Sequence, residues 1–148
     1  MLMGSFAHGV DAKGRIFIPS KWREDLGTSV IVTHGILGGS DARCLFGMSE
    51  KGWREFAARF SSLPVTDVVG QGFRRMMFSN AADCEMDKQG RILIPNALRE
   101  YARLDKDAVL VGVDTRIEIW DAQAWQAHEQ SMAGDYGDAL MRLAQMGI

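Results

Sequence analysis

The chain has 148 residues, of which 47% are hydrophobic and 24% charged, with a formal net charge of −2 and a pI near 5.9. These ordinary globular values exclude a disordered polyelectrolyte, and no stretch approaches the roughly 20 consecutive apolar residues that cross a bilayer. The acidic balance argues against a nucleic-acid partner, but nine acids and four bases lie from Glu100 onward, so totals of 19 and 17 leave ten acids against thirteen bases before it.

Taken from the start, Met1-Leu2-Met3-Gly4-Ser5-Phe6 has neither the basic region nor the apolar run of a secretory signal, and a cytoplasmic location is expected. Asp11-Ala12-Lys13-Gly14-Arg15 is a turn signal: aspartate bonds the amides that follow it, and glycine accepts positive φ without steric cost. The turn is expected to join a preceding strand to Ile16-Phe17-Ile18 as a hairpin, with the second strand buried on both faces. Pro19 ends that strand and opens a short helix, Ser20 to Leu26, which Gly27 closes. Strands follow at Val30 to Thr33 and Cys44 to Gly47, joined by the glycine-rich Gly35 to Asp41, and Ser49 caps a helix containing Trp53. After Pro64, Thr66 or Asp67 starts a helix reaching Ser79 and carrying Arg74 and Arg75.

The same order then recurs. Residues 86–100, M-D-K-Q-G-R-I-L-I-P-N-A-L-R-E, repeat residues 10–24, V-D-A-K-G-R-I-F-I-P-S-K-W-R-E, with identity at eight positions and no gap. A helix at Asn96 to about Leu104, strands at Val109 to Val113 and Arg116 to Trp120, and a helix capped by Asp121 and containing Trp125 complete the second copy. From Ala133 onward, Tyr136, Leu140, Leu143, Ala144 and Met146 give a weaker helical period interrupted by Gly134 and Gly137, read as a mobile tail or an assembly contact.

The chain therefore divides into a first repeat at 1–60, a helical connector at 61–80, a second repeat at 81–130 and a tail at 131–148. The expected class is α+β. Neither half has enough elements to bury a sound core, so the two should interlock around a pseudo-twofold axis with both turns on one face.

Arg15 and Arg91 are the leading site candidates, because a rigid turn can present a five-donor guanidinium to phosphate or to guanine O6 and N7. Asp11 and Asp87 would orient them, while Lys13 and Lys88 add charge and the amides of Gly14 and Gly90 touch phosphates. The plain alternative for one copy is a turn closed by an Asp–Arg ion pair with no partner; two copies that both keep arginine favour DNA. Lys21, Arg23 and Arg99 are candidate phosphate contacts with the alternative of a solvated helix face with i,i+4 pairing, and Arg74 and Arg75 could extend that surface, although adjacent arginines point partly in different directions on a helix.

Other chemistries find no support in the residues. His8, His34 and His128 have no ligand spacing, and Cys44 and Cys84 stand alone as small hydrophobes, so no metal, cofactor or disulfide framework is expected. Trp22, Trp53, Trp120 and Trp125 read as packing residues. No phosphate loop, nucleophile–base pair or carboxylate pair stands out; Asp11 with His8 has no copy in the second unit, where Cys84 stands in the histidine's place.

With Pro19 and Pro95 downstream, the two motifs at Asp11 to Arg15 and Asp87 to Arg91 resemble the doubled Asp-x-x-x-Arg signature of the MraZ family, within the AbrB-like swapped-hairpin superfamily. The likeness extends over nearly the whole chain, including Phe6 and the segment from Gly112 to Asp121. It implies a pseudo-twofold swapped-hairpin barrel with peripheral helices. It also implies a nucleoid-associated, sequence-specific regulator that binds repeated double-stranded promoter sites near the start of a cell-division and cell-wall gene cluster, its own promoter included, as a ring-shaped homo-oligomer. The chain departs from a strict doubling where Gln89 replaces Lys13 and where Gly35 to Asp41 lengthens the first unit. A swapped-hairpin interaction or scaffold module, whose basic turns bind an acidic protein surface, is the competing reading.

Overall fold

The computed structural model describes residues 1–36 and 41–148, so the glycine-rich Gly35 to Asp41 stretch falls largely outside the described residues. Among the described residues there are eight strands and five α-helices. The first half holds β1 (Ser5–Gly9), β2 (Arg15–Phe17), a 3-10 turn (Ser20–Trp22) running into α1 (Arg23–Leu26), β3 (Ser29–His34), β4 (Leu45–Met48) and α2 (Glu50–Ala58). After α3 (Val68–Ser79) the second half repeats the order with β5 (Ala82–Glu85), β6 (Arg91–Leu93), α4 (Asn96–Tyr101), β7 (Asp107–Val113), β8 (Arg116–Asp121) and α5 (Ala122–Gln145). The protein is thus a small mixed α+β fold on an antiparallel sheet.

Strand pairing crosses between the halves. A six-stranded sheet runs β1-β7-β8-β4-β3-β5, and β2 pairs with β6 in a separate two-stranded ribbon. The hairpins expected at the two Asp-x-x-Gly-Arg turns do not form as ladders. β1 runs antiparallel to β7, from Ser5 opposite Val111 to Gly9 opposite Asp107, and the amide of Val10 still donates to the Lys106 carbonyl at 2.8 Å. Past the turn, β2 joins β6, and β5 correspondingly joins β3. The physical reason is burial: a short hairpin would leave an apolar face open, whereas exchange lets strands from both halves close one core.

That core draws about equally on the two repeats. Ile16, Ile18, Trp22, Leu26, Val30, Val32 and Leu45 pack with Ile92, Ile94, Leu98, Ala102, Leu110, Ile117 and Ile119. On the other side of the sheet, Cys44, Phe46, Met48 and Trp120 form a second cluster with Trp53 and Phe56 from α2 and Trp125 from α5. β4 and β8 are therefore buried on both faces, which the period-two alternation between Ile117 or Ile119 and Trp120 records. Glu118 shares the second face: its carboxylate accepts from Trp120 Nε1 at 3.1 Å and from Arg116 Nη2 at 2.9 Å.

The capped helices begin where local chemistry puts them. Ser49, Asp67 and Asp121 each accept an amide three residues on, from Gly52, Gly70 and Ala124. α3 packs through Phe73 and Phe78 on Phe60 and through Phe78 on Trp53, and its Met77 carbonyl accepts from the buried Thr33 hydroxyl at 2.7 Å. α5 departs from the sequence expectation, because it is one 24-residue helix that passes through Gly134 and Gly137. Each glycine costs only about 1 kcal/mol relative to alanine, too little to break a helix already started on the sheet by its cap and Trp125. Among the described residues no helix is long and apolar enough to cross a membrane.

Candidate nucleic-acid interface

The two turns have the same internal wiring. In the first, Asp11 Oδ1 accepts from the amides of Lys13 at 3.0 Å and Arg15 at 2.8 Å, while Oδ2 accepts Arg15 Nε at 2.6 Å. In the second, Asp87 Oδ1 accepts from the amides of Gln89 and Arg91, both at 2.9 Å, and Oδ2 accepts Arg91 Nε at 2.8 Å. Each turn is closed again through its backbone, Asp11 N–H to the Arg15 carbonyl at 3.0 Å and Asp87 N–H to the Arg91 carbonyl at 2.8 Å. Gly14 and Gly90 supply the positive φ, +89° and +83°, that lets the chain reverse.

Carboxylates bonded by so many donors stay ionised far into acid. The Arg15 amide, aided by the Arg15 side chain and the Lys13 amide, lowers Asp11 to about 2, and the Arg91 amide leads the same downward shift at Asp87. The ionised aspartates hold both guanidinium groups by Nε, and among the described residues nothing hydrogen-bonds their terminal nitrogens.

Register decides where those arginines point. In the β2–β6 ribbon, Arg15 lies opposite Leu93, Ile16 opposite Ile92, and Phe17 opposite Arg91. Because side chains alternate, Ile16 and Ile92 enter the core together while Arg15, Phe17, Arg91 and Leu93 share the outer face. A local twofold axis thus passes between the two isoleucines. The arginine side chains are 31% and 21% accessible, neither buried nor on opposite sides, and the Arg91 guanidinium lies 5.8 Å from the Phe17 ring centre.

Against the expectation of strands buried on both faces, Phe17 and Leu93 are 42% and 54% exposed. The signal was present in the alternation of Arg15-Ile16-Phe17, though three residues are a short run on which to read it.

Other candidates fall into different settings. Lys13, Lys88 and Lys21 are exposed. Gly14 and Gly90, whose amides were expected to touch phosphates, are buried, and those amides donate to the Asp11 and Asp87 carbonyls inside the turns. Arg74 and Arg75 belong to α3, which packs on α2 and β3; Arg74 lies over the Phe78 ring and Arg75 is exposed. Arg23 and Arg99 make no i,i+4 pair. Their Nε atoms donate to the Ile18 and Ile94 carbonyls, each at 2.9 Å, and each guanidinium reaches the opposite half's turn.

Among the described residues no group of three or more His, Cys, Asp or Glu side chains could hold a metal. Cys44 and Cys84 are buried free thiols, and desolvation pushes both thiol pKa values up, that of Cys84 to about 11.

Residues 1–76 and 77–141 each match the family described as "MraZ protein, putative antitoxin-like". Three curated proteins, each named transcriptional regulator MraZ, are similar over most or all of the chain. The one from Carboxydothermus hydrogenoformans is 49% identical over 84% of this chain and 84% of its own. That from Lactiplantibacillus plantarum is 45% identical over 97% and 98%, and that from Moorella thermoacetica 44% identical over the full length of both. With both repeats matched and relatives aligned end to end, the chain belongs to the MraZ family.

Proposed function

We propose that this protein is a sequence-specific DNA-binding transcriptional regulator whose grip on DNA is the outer face of the β2–β6 ribbon. The observation that carries the reading is the shared face: two turn-held arginines, whose terminal nitrogens have no hydrogen-bond partner among the described residues, emerge on either side of one local twofold axis. A transcription-regulating role has the support of relatives that are named transcriptional regulators.

Antiparallel ribbons fit the major groove, where a guanidinium fork pairs with guanine O6 and N7. Arg15 and Arg91 are the base-reading residues in this proposal, with Asp11 and Asp87 as their orienters. Lys13 and Lys88 flank them, and Lys21, Arg23, Arg99, Arg74 and Arg75 are further phosphate contacts. The exchanged pairing fits an AbrB-like swapped-hairpin barrel built from repeats at 1–60 and 81–130.

One ribbon is a small contact on an acidic chain, so affinity would come from repetition. A ring-like homo-oligomer acting on repeated promoter sites, in its own cell-division and cell-wall gene cluster on the nucleoid, turns many weak grips into one strong one.

The test is a gel shift on DNA upstream of the protein's own gene, with scrambled DNA as control. Arg15→Ala combined with Arg91→Ala should abolish the specific shift while leaving circular dichroism and oligomer size unchanged. Undiminished binding by that double variant would remove the mechanism. A stoichiometric protein partner in the absence of any DNA shift would favour the interaction-module reading instead.

A further inference from the structure

Each turn is completed by an arginine that belongs to the other repeat. Arg99, in α4 of the second half, donates Nε–H to the Ile94 carbonyl at 2.9 Å and lays its guanidinium against Gly14 of the first half. A methyl group on Gly14 would sit 2.5 Å from Arg99 Cζ, 2.6 Å from Nε and 2.8 Å from Nη1. Arg23, in α1 of the first half, donates to the Ile18 carbonyl at 2.9 Å and covers Gly90, where a methyl group would lie 2.2 Å from Cζ and 2.3 Å from Nη2. Ordinary carbon contacts are about 3.5–4.0 Å, so only a glycine leaves room for the guanidinium.

A backbone hydrogen bond crosses the same boundary beside each contact. The Ile94 amide donates to the Gly14 carbonyl at 3.0 Å, and the Ile18 amide to the Gly90 carbonyl at 2.8 Å. The opposite half therefore holds each glycine by its carbonyl and by its open α-carbon. Among the described residues neither Arg23 nor Arg99 has a carboxylate partner within salt-bridge distance, so nothing acidic draws either cation away from the turn.

We propose that Arg23 and Arg99 are positioning residues that act across the pseudo-twofold axis: Arg99 sets the turn that carries Arg15, and Arg23 sets the turn that carries Arg91. The significance for DNA rests on the reading of the turns as grips, whereas the crosswise clamp does not. Lysine keeps the charge but has no planar fork to cover a glycine, so Arg99→Lys and Arg23→Lys separate positioning from simple phosphate neutralisation.

Residue-resolved amide exchange on the full-length protein without DNA reads the clamp. In Arg99→Lys the Gly14 and Arg15 amides should exchange roughly tenfold faster, the worth of one net hydrogen bond, while Gly90 and Arg91 stay as they were. Arg23→Lys should give the mirror result. Unchanged exchange at both turns, or loosening of the variant's own half alone, would overturn the proposal. In parallel gel shifts on the upstream DNA, both variants should bind several-fold more weakly with an unaltered dependence on salt, because no charge is lost. Full binding by variants with loosened turns would also overturn it as a device for DNA grip. A wild-type protein that shows the clamp by exchange but never shifts DNA would instead overturn the DNA reading and leave the clamp standing.

Discussion

Replacing Gly90 by alanine tests the clamp energetically, because the structure separates two contributions to its cost. The first is backbone strain: φ is +83° at this residue, and an L side chain there costs about 1–2 kcal/mol. The second is displacement of Arg23, whose Cζ lies 2.2 Å from where the new methyl group would stand. Moving that guanidinium breaks its bond to the Ile18 carbonyl, a charge-assisted bond whose net worth, reduced by partial exposure, is about 1–2 kcal/mol. Gly90→Ala should therefore destabilise the protein by about 2–4 kcal/mol, falling to about 1–2 kcal/mol in an Arg23→Ala background where only strain remains. Urea unfolding followed by tryptophan fluorescence measures both, with all four proteins at one protomer concentration so that assembly contributes equally. Equal cost in the two backgrounds, within about 0.5 kcal/mol, would refute the contact between Arg23 and the second turn.

Other perturbations give separate readings. Because the folded carboxyl of Asp11 is lowered from 3.8 to about 2, its contribution to stability is complete above the unfolded value and is lost as pH falls through that window; carboxyl NMR titration should place its midpoint there, and a midpoint near 4 would remove the turn wiring. Asp87 is lowered in the same sense, so neither turn should open between about pH 5 and 8. Both cysteines have raised thiol pKa values and are buried, so a thiol reagent at about pH 8 should leave the native protein unmodified and label two sites in denaturant. Glu118→Ala strands the buried Trp120 N–H and frees Arg116, at an expected loss of about 1–3 kcal/mol by urea unfolding, whereas Glu118→Gln keeps an acceptor and should lose less.

What could be read in the sequence was mainly what is decided locally. The turns at Asp11 and Asp87, the stops at Pro19 and Pro95, and the caps at Ser49 and Asp121 all depend on residues within four positions and form where the sequence puts them, and of Thr66 and Asp67 it is Asp67 that caps α3. Strand partnership was not so decided: the sequence near Gly9 and Arg15 contains a good turn, but nothing in it says that the strands on either side pair with β7 and β6. The places of Arg23 and Arg99 were illegible for the same reason. On a helical wheel they are two surface cations, and their destinations are glycines in the other repeat. Their retention at matching places in both copies was the available sign, since a merely solvated position tolerates many polar residues.

The exchanged strand order has a consequence for cutting the chain. A protease that nicked the segment between α2 and α3 would leave two fragments still held by the β1–β7, β4–β8, β3–β5 and β2–β6 ladders. Each fragment alone would expose its share of a common interior, so either repeat expressed singly is expected to find a second copy or precipitate. The two repeats, joined in one polypeptide, behave physically as an obligate heterodimer whose linker serves to keep the partners at equal numbers.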